Sequence, residues 1–333
     1  MKAVALAHSN IALSKYWGKR EGGGNVPAVP SLSVTLAGLA TTTSVTFDAA
    51  LRSDTLVLDG APAADAAVAR ASELLDRVRA AAGISARASV VSSNDFPTAS
   101  GLASSASGFA ALALAAVRAA GLDWDAERVA DLARRSSASA ARSIFGGFVE
   151  LDGETARPIA PPGRIDLKVL VCVTTEQAKD VSSRDGMAVT AAKSPYYAAW
   201  LEAAPRIHAR LREALLAGDL ETTCALAEES ALAMHASAFA AGVVYVSGAT
   251  LAALATVRSL RAEGLAAYAT MDAGPHLKCL VHARDAARAK ERLARTPGVL
   301  RIIEAVAGEG ARIVGDESSP DVPPAEKPRE GRG

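Results

Sequence analysis

The chain has 333 residues and a mass of 34.0 kDa, room for one large or two ordinary domains. Half of its residues are hydrophobic and 22% are charged, which allows a sizeable core and argues against wholesale disorder. Its 36 Lys and Arg balance 36 Asp and Glu, so net charge favours neither a nucleic-acid partner nor a membrane surface.

Residues 3–13 read as a strand leading into a loop. His8, Ser9 and Asn10 interrupt its apolar run too early for a signal peptide. No later window reaches the ~18 uninterrupted apolar residues of a membrane span, so a soluble cytoplasmic protein is expected. Residues 31–36 and 43–47 alternate and are β-rich, and 55–58 form another short strand. Val68, Leu74, Leu75 and Val78 recur at helical spacing within 64–82, and Gly83 suits a stop. A strand over 86–92 leads to a turn-rich segment, 94–108, and then to an Ala/Leu helix ending near Ala120. Asp125 opens a helix over 125–135, and 144–151 reads as a strand bent at Gly146 and Gly147.

In the second half, 167–174 has the continuous apolar character of a buried strand. Helices are predicted over 196–217, 220–236 and 249–263. Strands over 265–271 and 277–282 flank a turn at Asp272, and 284–295 is helical. The Pro-rich stretch 316–333 reads as a disordered tail. Cys172, Cys224 and Cys279 lie far apart without a CxxC pair, so buried reduced thiols are expected. The five histidines show no metal-ligand spacing, and His235 reads as a helix-end or pocket residue. The early strands look like hairpins rather than βαβ units, which favours an α+β fold with layered sheets.

The string from Pro97 to Gly108, PTASGLASSASG, carries the most chemistry. Gly101 permits a tight turn, small residues leave amides uncovered, and an apolar helix follows. The positive end of that helix makes an anion site, to which Ser104, Ser105 and Ser107 add hydroxyls. The same string also suits a Ser-rich cap on an Ala-rich helix. Neither a GxxxxGK[ST] loop nor a GxGxxG turn is present.

PTASGLASSASG resembles the phosphate loop of the GHMP kinase superfamily. NIALSKYWGKR with PSLSVTL, SSASAARSIFGGFVEL, and KDVSSRDGM with MDAGPHLK then resemble, in order, the diphosphomevalonate decarboxylase branch. The resemblance runs from about residue 5 to residue 315. It implies a GHMP kinase-like two-layer fold: an N-terminal ATP-binding half over 1–165, a ferredoxin-like C-terminal half over 166–315, and a cleft between them. It implies ATP and Mg²⁺ as cofactors, (R)-5-diphosphomevalonate as substrate, a homodimer, and neither nucleic-acid nor membrane partners. In the implied reaction the γ-phosphoryl of ATP passes to the tertiary 3-hydroxyl. Phosphate and carbon dioxide then leave, giving isopentenyl diphosphate. A phosphomevalonate decarboxylase and a kinase-only relative are the alternatives; a ligand sensor lacking turnover is disfavoured by retention of both residues discussed next.

Asp272, on the DAGP turn, is the residue implied to accept or orient the hydroxyl proton. Without the resemblance it reads as an Asx-turn residue. Arg142 is implied to grip the carboxylate, where composition alone gives a surface arginine. Tyr16, Lys19, Ser137, Ser139, Ser183, Arg184 and Met187 complete the implied substrate set, with Met187 equally suited to the core. Pro97, Gly101, Leu102, Ala103, Ser104, Ser105 and Ser107 are implied to hold ATP, with Ser105 a weak guess for the metal and Asn94 and Ser92 weaker ones for adenine. Trp17 is expected to pack the loop and Lys15 to snorkel at the surface. Two positions depart from the pattern. Ala138 stands where glycine is usual, tolerable if φ is negative, and His276 stands where asparagine is usual.

Overall fold

The computed structural model of the chain describes residues 1–20, 22–96, 104–177 and 180–316. The first half contains β1 (Lys2–Ser14), β2 (Ser31–Asp48), β3 (Thr55–Leu58), β4 (Ala61–Pro62), α1 (Asp65–Ala82), β5 (Arg87–Asn94), α2 (Ser104–Ala119), α3 (Ala126–Ser136), α4 (Ala138–Ser143), β6 (Phe148–Asp152) and β7 (Thr155–Ala160). The second contains β8 (Leu167–Val173), α5 (Ser183–Lys193), α6 (Tyr197–Ala217), α7 (Leu220–Ala240), α8 (Gly248–Ala262), β9 (Ala267–Met271), β10 (Leu277–His282), α9 (Ala286–Ala294), β11 (Arg301–Ala307) and β12 (Arg312–Asp316).

One 12-stranded sheet runs through both halves. Its joint is β2, which corrects the expectation of two strands over 31–36 and 43–47. Gly38, at φ +92°, bends the strand without breaking it, and the β1 register shifts beside it, between His8 and Asn10. The first part of β2 pairs with β6 and the last part with β5, while β1 lies along both. Leu36 and Ala37, at the bend, pair with β11.

From there the sheet continues in the order β11-β8-β10-β9, every pair antiparallel. In chain order this is strand, helices, two strands, helix, strand: the ferredoxin-like arrangement. Strand β11, central here, lies outside the elements predicted from sequence. Its residues RIIEAVA are mostly partly exposed, so they lack the apolar run of β8.

The face that positions the site is built from alanine. Ala3, Ala5 and Ala7 of β1 are buried against Ala110, Ala111 and Ala113 of α2. Side chains this small let a helix lie close on a sheet, and α2 is apolar nearly all round because it is covered nearly all round. Helices α6 and α7 pack on each other, and α7 also packs on β1 and β9. Asp125 caps α3 as expected, accepting from Arg128 N at 2.8 Å, and Gly83 ends α1 at φ 66°. The three cysteines are free and buried. The stretch 317–333, expected to be a tail, lies outside the described residues.

Candidate active site

A cavity of about 570 Å³ opens where β1, α4, α5 and the turn after β9 converge. Its first wall is the loop that leaves β1. Ser14 ends the strand, its Oγ accepting from Leu32 N at 2.8 Å. Trp17 then buries itself, edge-on to Tyr245, and its carbonyl accepts from Trp200 Nε1 at 2.8 Å. Gly18 has φ +107°, and a Cβ there would strike the Tyr197 hydroxyl. With Trp17 anchored, Lys15, Tyr16 and Lys19 face the cavity. Lys19 is steadied by donating to Asn25 Oδ1 at 2.7 Å.

The second wall is α4. Asn10 of β1 ties it down, donating to the Ser139 carbonyl at 2.9 Å and to Ser143 Oγ at 2.8 Å. Ser137 and Ser139 present neighbouring hydroxyls, 3.1 Å apart. Arg142 is buried and donates from Nη1 to Ser31 Oγ at 2.8 Å. Among the described residues nothing pairs with its Nε, with the Tyr16 hydroxyl or with Ser136 Oγ. Such buried donors suit a polar ligand. Ala138 lies within α4, outside the left-handed region, so the backbone accepts its Cβ.

The third wall is the start of α5. Ser182 caps it, accepting from Asp185 N at 3.1 Å, and the Tyr245 hydroxyl donates to the Ser182 carbonyl at 3.1 Å. This aims Ser183 and Arg184 at the cavity, and Met187 one turn later serves both cavity and core. Helix α2 contributes Ser105. Ser107 differs from expectation: its hydroxyl is fully buried and bonded to Thr41 Oγ1 at 2.6 Å and Ser9 Oγ at 3.3 Å. That side chain anchors α2 to the sheet and does not line the cavity. Pro97, Gly101, Leu102 and Ala103 lie outside the described residues, and Ser104 is described only as the first residue of α2.

Asp272 follows β9 and reaches the same cavity. Lys15 Nζ lies 2.7 Å from its Oδ1, and Lys278 Nζ lies 3.1 Å from its Oδ2. Lys15 is therefore not the snorkelling surface residue the sequence suggests; its ammonium is buried and also donates to the Ala12 carbonyl at 2.7 Å. His276, buried beside the turn, accepts at Nδ1 from Thr174 N at 3.2 Å, so it closes the end of β8.

The electrostatics follow from burial and crowding. Burial pushes the Lys15 ammonium down to about 8 and is only partly opposed by Asp272. Burial would raise the Asp272 carboxyl, but Lys15 and Lys278 outweigh it and hold it well below the usual carboxylate range. Burial lowers Arg142 to about 10 and raises Tyr16 to about 12. Lys19 and Arg70 are lowered by burial and then by Arg184, and at Lys19 the charge of Arg70 adds to this. Arg70 was not foreseen. It reaches the cavity from α1, stacks on Phe109 at 4.6 Å and donates to the Ser136 carbonyl at 3.3 Å. Its position in an ordinary helix gives no local signal.

Among the described residues, five cations thus line the cavity (Lys15, Lys19, Arg70, Arg142 and Arg184) against the carboxylates of Asp272 and Asp185. A cavity so charged is built for a polyanion. His235, on α7, is buried and lowered to about 4, so it stays neutral. Among the described residues no cluster of His, Cys, Asp or Glu could hold a metal.

The family model described as the diphosphomevalonate decarboxylase-like N-terminal domain matches residues 7–158. The mevalonate 5-diphosphate decarboxylase C-terminal domain model matches residues 169–306. The chain is 35% identical to a phosphomevalonate decarboxylase of Haloferax volcanii over 82% of this chain and 86% of that protein. A mevalonate diphosphate decarboxylase structure from Staphylococcus aureus is similar, with a TM-score of 0.90, 34% identity and coverage of 94% and 98% of the two chains. A structure described as MDDEF with MVAPP, AMPPCP and magnesium gives a TM-score of 0.88 and 38% identity, again covering 94% and 98%.

Proposed function

The chain belongs to the diphosphomevalonate decarboxylase family, with the GHMP kinase fold, and on that footing we propose that it converts (R)-5-diphosphomevalonate and ATP to isopentenyl diphosphate, ADP, phosphate and carbon dioxide. The observation that carries this reading is the meeting of Asp272 and Arg142 in one cavity whose other charged groups are mostly cations.

Each residue has a task. Lys19, Arg70 and Arg184, with the hydroxyls of Ser137, Ser139 and Ser183, bind the diphosphate. Arg142 orients the carboxylate with a guanidinium whose Nε is still available. Asp272, held ionised, accepts a hydrogen bond from the 3-hydroxyl and turns its oxygen toward the γ-phosphorus; as the new O–P bond forms and the bond to ADP breaks, the hydroxyl proton passes along that hydrogen bond to the carboxylate and is released to solvent afterwards. Lys15 sits at the same oxygen of Asp272 and offsets negative charge as phosphorus and oxygen approach. Once the 3-oxygen is phosphorylated, its C–O bond breaks as the carboxylate's C–C electron pair forms the double bond. Arg142 holds that carboxylate beside the departing phosphate, on the wall formed by the buried helix α4.

The residues also fit magnesium nucleotide. Both Asp272 oxygens are taken by lysines, and Asp185 Oδ2 accepts from Ser182. A hard cation here would rest on phosphate oxygens and the exposed Ser105 hydroxyl, and when bound it neutralises β- and γ-phosphate charge.

A second reading, action on the monophosphate, is favoured by the similarity to the Haloferax protein. The cationic cluster supports the diphosphate. The test is kcat/KM for 5-diphosphomevalonate against 5-phosphomevalonate; a ratio above about 100 supports the first reading and a ratio below one supports the second. We also propose a cytoplasmic homodimer. No helix among the described residues is long and apolar enough to cross a membrane. Tyr196, Phe239 and Val244 are exposed apolar groups near the end of α7, available to a second copy. Light scattering on the purified chain checks the mass.

A further inference from the structure

Lys278 is among the most deeply buried large side chains of the protein, at 2% exposure, yet it does not line the cavity. It lies on β10 with Leu280, on the face opposite Leu277, Cys279 and Val281. Its neighbours across the strands are Val171 and Thr270. Nothing in an alternating strand predicts a charge there. An ammonium is not buried among strands without a counter-charge, and the carboxylate beside it is Asp272, at 3.1 Å.

We propose that Lys278 is a positioning residue for the reaction: from the sheet side it fixes Oδ2 of Asp272, so that the carboxylate stays ionised and turned toward the cavity, while Lys15 serves the other oxygen from the cavity side. The split follows from placement. Lys15 lines the cavity and can answer to substrate; Lys278 does not and can act only through Asp272. Asp272 is faced by Lys15 after β1, Lys278 on β10, Arg142 on α4 and His235 on α7. Of these, Lys15 and Lys278 are the groups that hold its charge. Lys278 gives the carboxylate a fixed cation that neither substrate binding nor a change at Lys15 removes.

This inference rests on the reading of Asp272 above, and its test separates the two. Full-length Lys278→Met and Lys278→Arg are compared with the unaltered chain in steady-state kinetics from pH 5 to 9. Lys278→Met should lower kcat about 30-fold while changing both KM values less than about threefold, a split that a merely structural loss would not give. Lys278→Arg should restore most of kcat. Carbon-13 NMR of labelled aspartate then follows the Asp272 carboxyl without turnover. Followed from pH 3 to 9, it should remain ionised throughout in the unaltered chain and show a titration within that range in the methionine variant. A methionine variant that keeps kcat within about threefold, or whose Asp272 stays ionised down to pH 3 as in the unaltered chain, overturns the proposal, even if it melts earlier. If Lys278→Met does not fold, Lys278→Gln is measured in the same way and decides by the same outcomes. A normal Asp272 titration shift without any carbon dioxide from the unaltered chain would instead leave Lys278 in its place and refute the proposed reaction.

Discussion

Asp272 shows how little a residue's type says without its neighbours. As one acidic side chain on a glycine turn it reads as a local cap; between two buried ammoniums its carboxyl is held well below the usual carboxylate range. Asp272→Asn should lower kcat by about a thousandfold, and it leaves two buried lysines without counter-charge, a loss of the order of 3 kcal/mol. Chemical denaturation checks the second effect. Because the folded pKa of Asp272 is depressed, its contribution to stability is present above the ordinary carboxylate range and fades as pH falls below it. Lys15 has the opposite charge and also a lowered value, about 8. The unfolded chain therefore holds that proton over a window in which the folded chain has lost it, and stability gained from this group rises with pH above about 8. If its ammonium serves the reaction, kcat/KM should fall above pH 8, and Lys15→Arg should carry that limb beyond pH 10; a flat profile of the unaltered chain to pH 10 removes Lys15 from the mechanism. The family strings made Asp272, Arg142, Tyr16, Lys19, Ser137, Ser139, Ser183, Arg184 and Met187 legible, and the fold brings all of them to one cavity. Lys278 and Arg70 were not legible, because the sequence places each in an ordinary element and only the third dimension adds the partner.

Among the elements, those with a strong period were plain in the sequence and those made of small or polar residues were not. Helix α1 repeats Leu74, Leu75 and Val78 on its buried face, and β8 is buried along nearly its whole length. Helix α4, ASAARS, is six residues with no apolar stripe, and it forms because Asn10 and Ser31 hold it to the sheet. Helix α5 buries only Gly186, Met187 and Thr190, so it too shows no period. Its Gly186 is required by packing: a Cβ would strike the Tyr245 hydroxyl. Both quiet helices carry cavity-lining residues in their first turns, Ser139 on α4 and Ser183 and Arg184 on α5. A prediction belongs here. Arg184→Met removes a charge at the start of α5, so it should cut kcat/KM for the diphosphate about tenfold more than for the monophosphate. Equal losses on both substrates would place Arg184 away from the terminal phosphate.

At the scale of the whole molecule, one sheet does the assembling. Strand β2 carries the first half, bends at Gly38 and hands the sheet to β11, so the end of β1 and the turn after β9 are fixed relative to each other through backbone hydrogen bonds. The layered α+β class was readable from interleaved strands and helices. The continuity of the sheet was not, since β11 pairs across more than 250 positions of sequence with a two-residue patch of β2. That continuity lets Lys15 and Asp272, 257 positions apart, meet at 2.7 Å. The account therefore stands on a cavity in which phosphoryl transfer and loss of the carboxylate are performed on one bound molecule. The direct measurement is to supply Mg·ATP and (R)-5-diphosphomevalonate and to quantify ADP, carbon dioxide and isopentenyl diphosphate in the same vessel. Equal amounts of all three are predicted; ADP accumulating without carbon dioxide would contradict it.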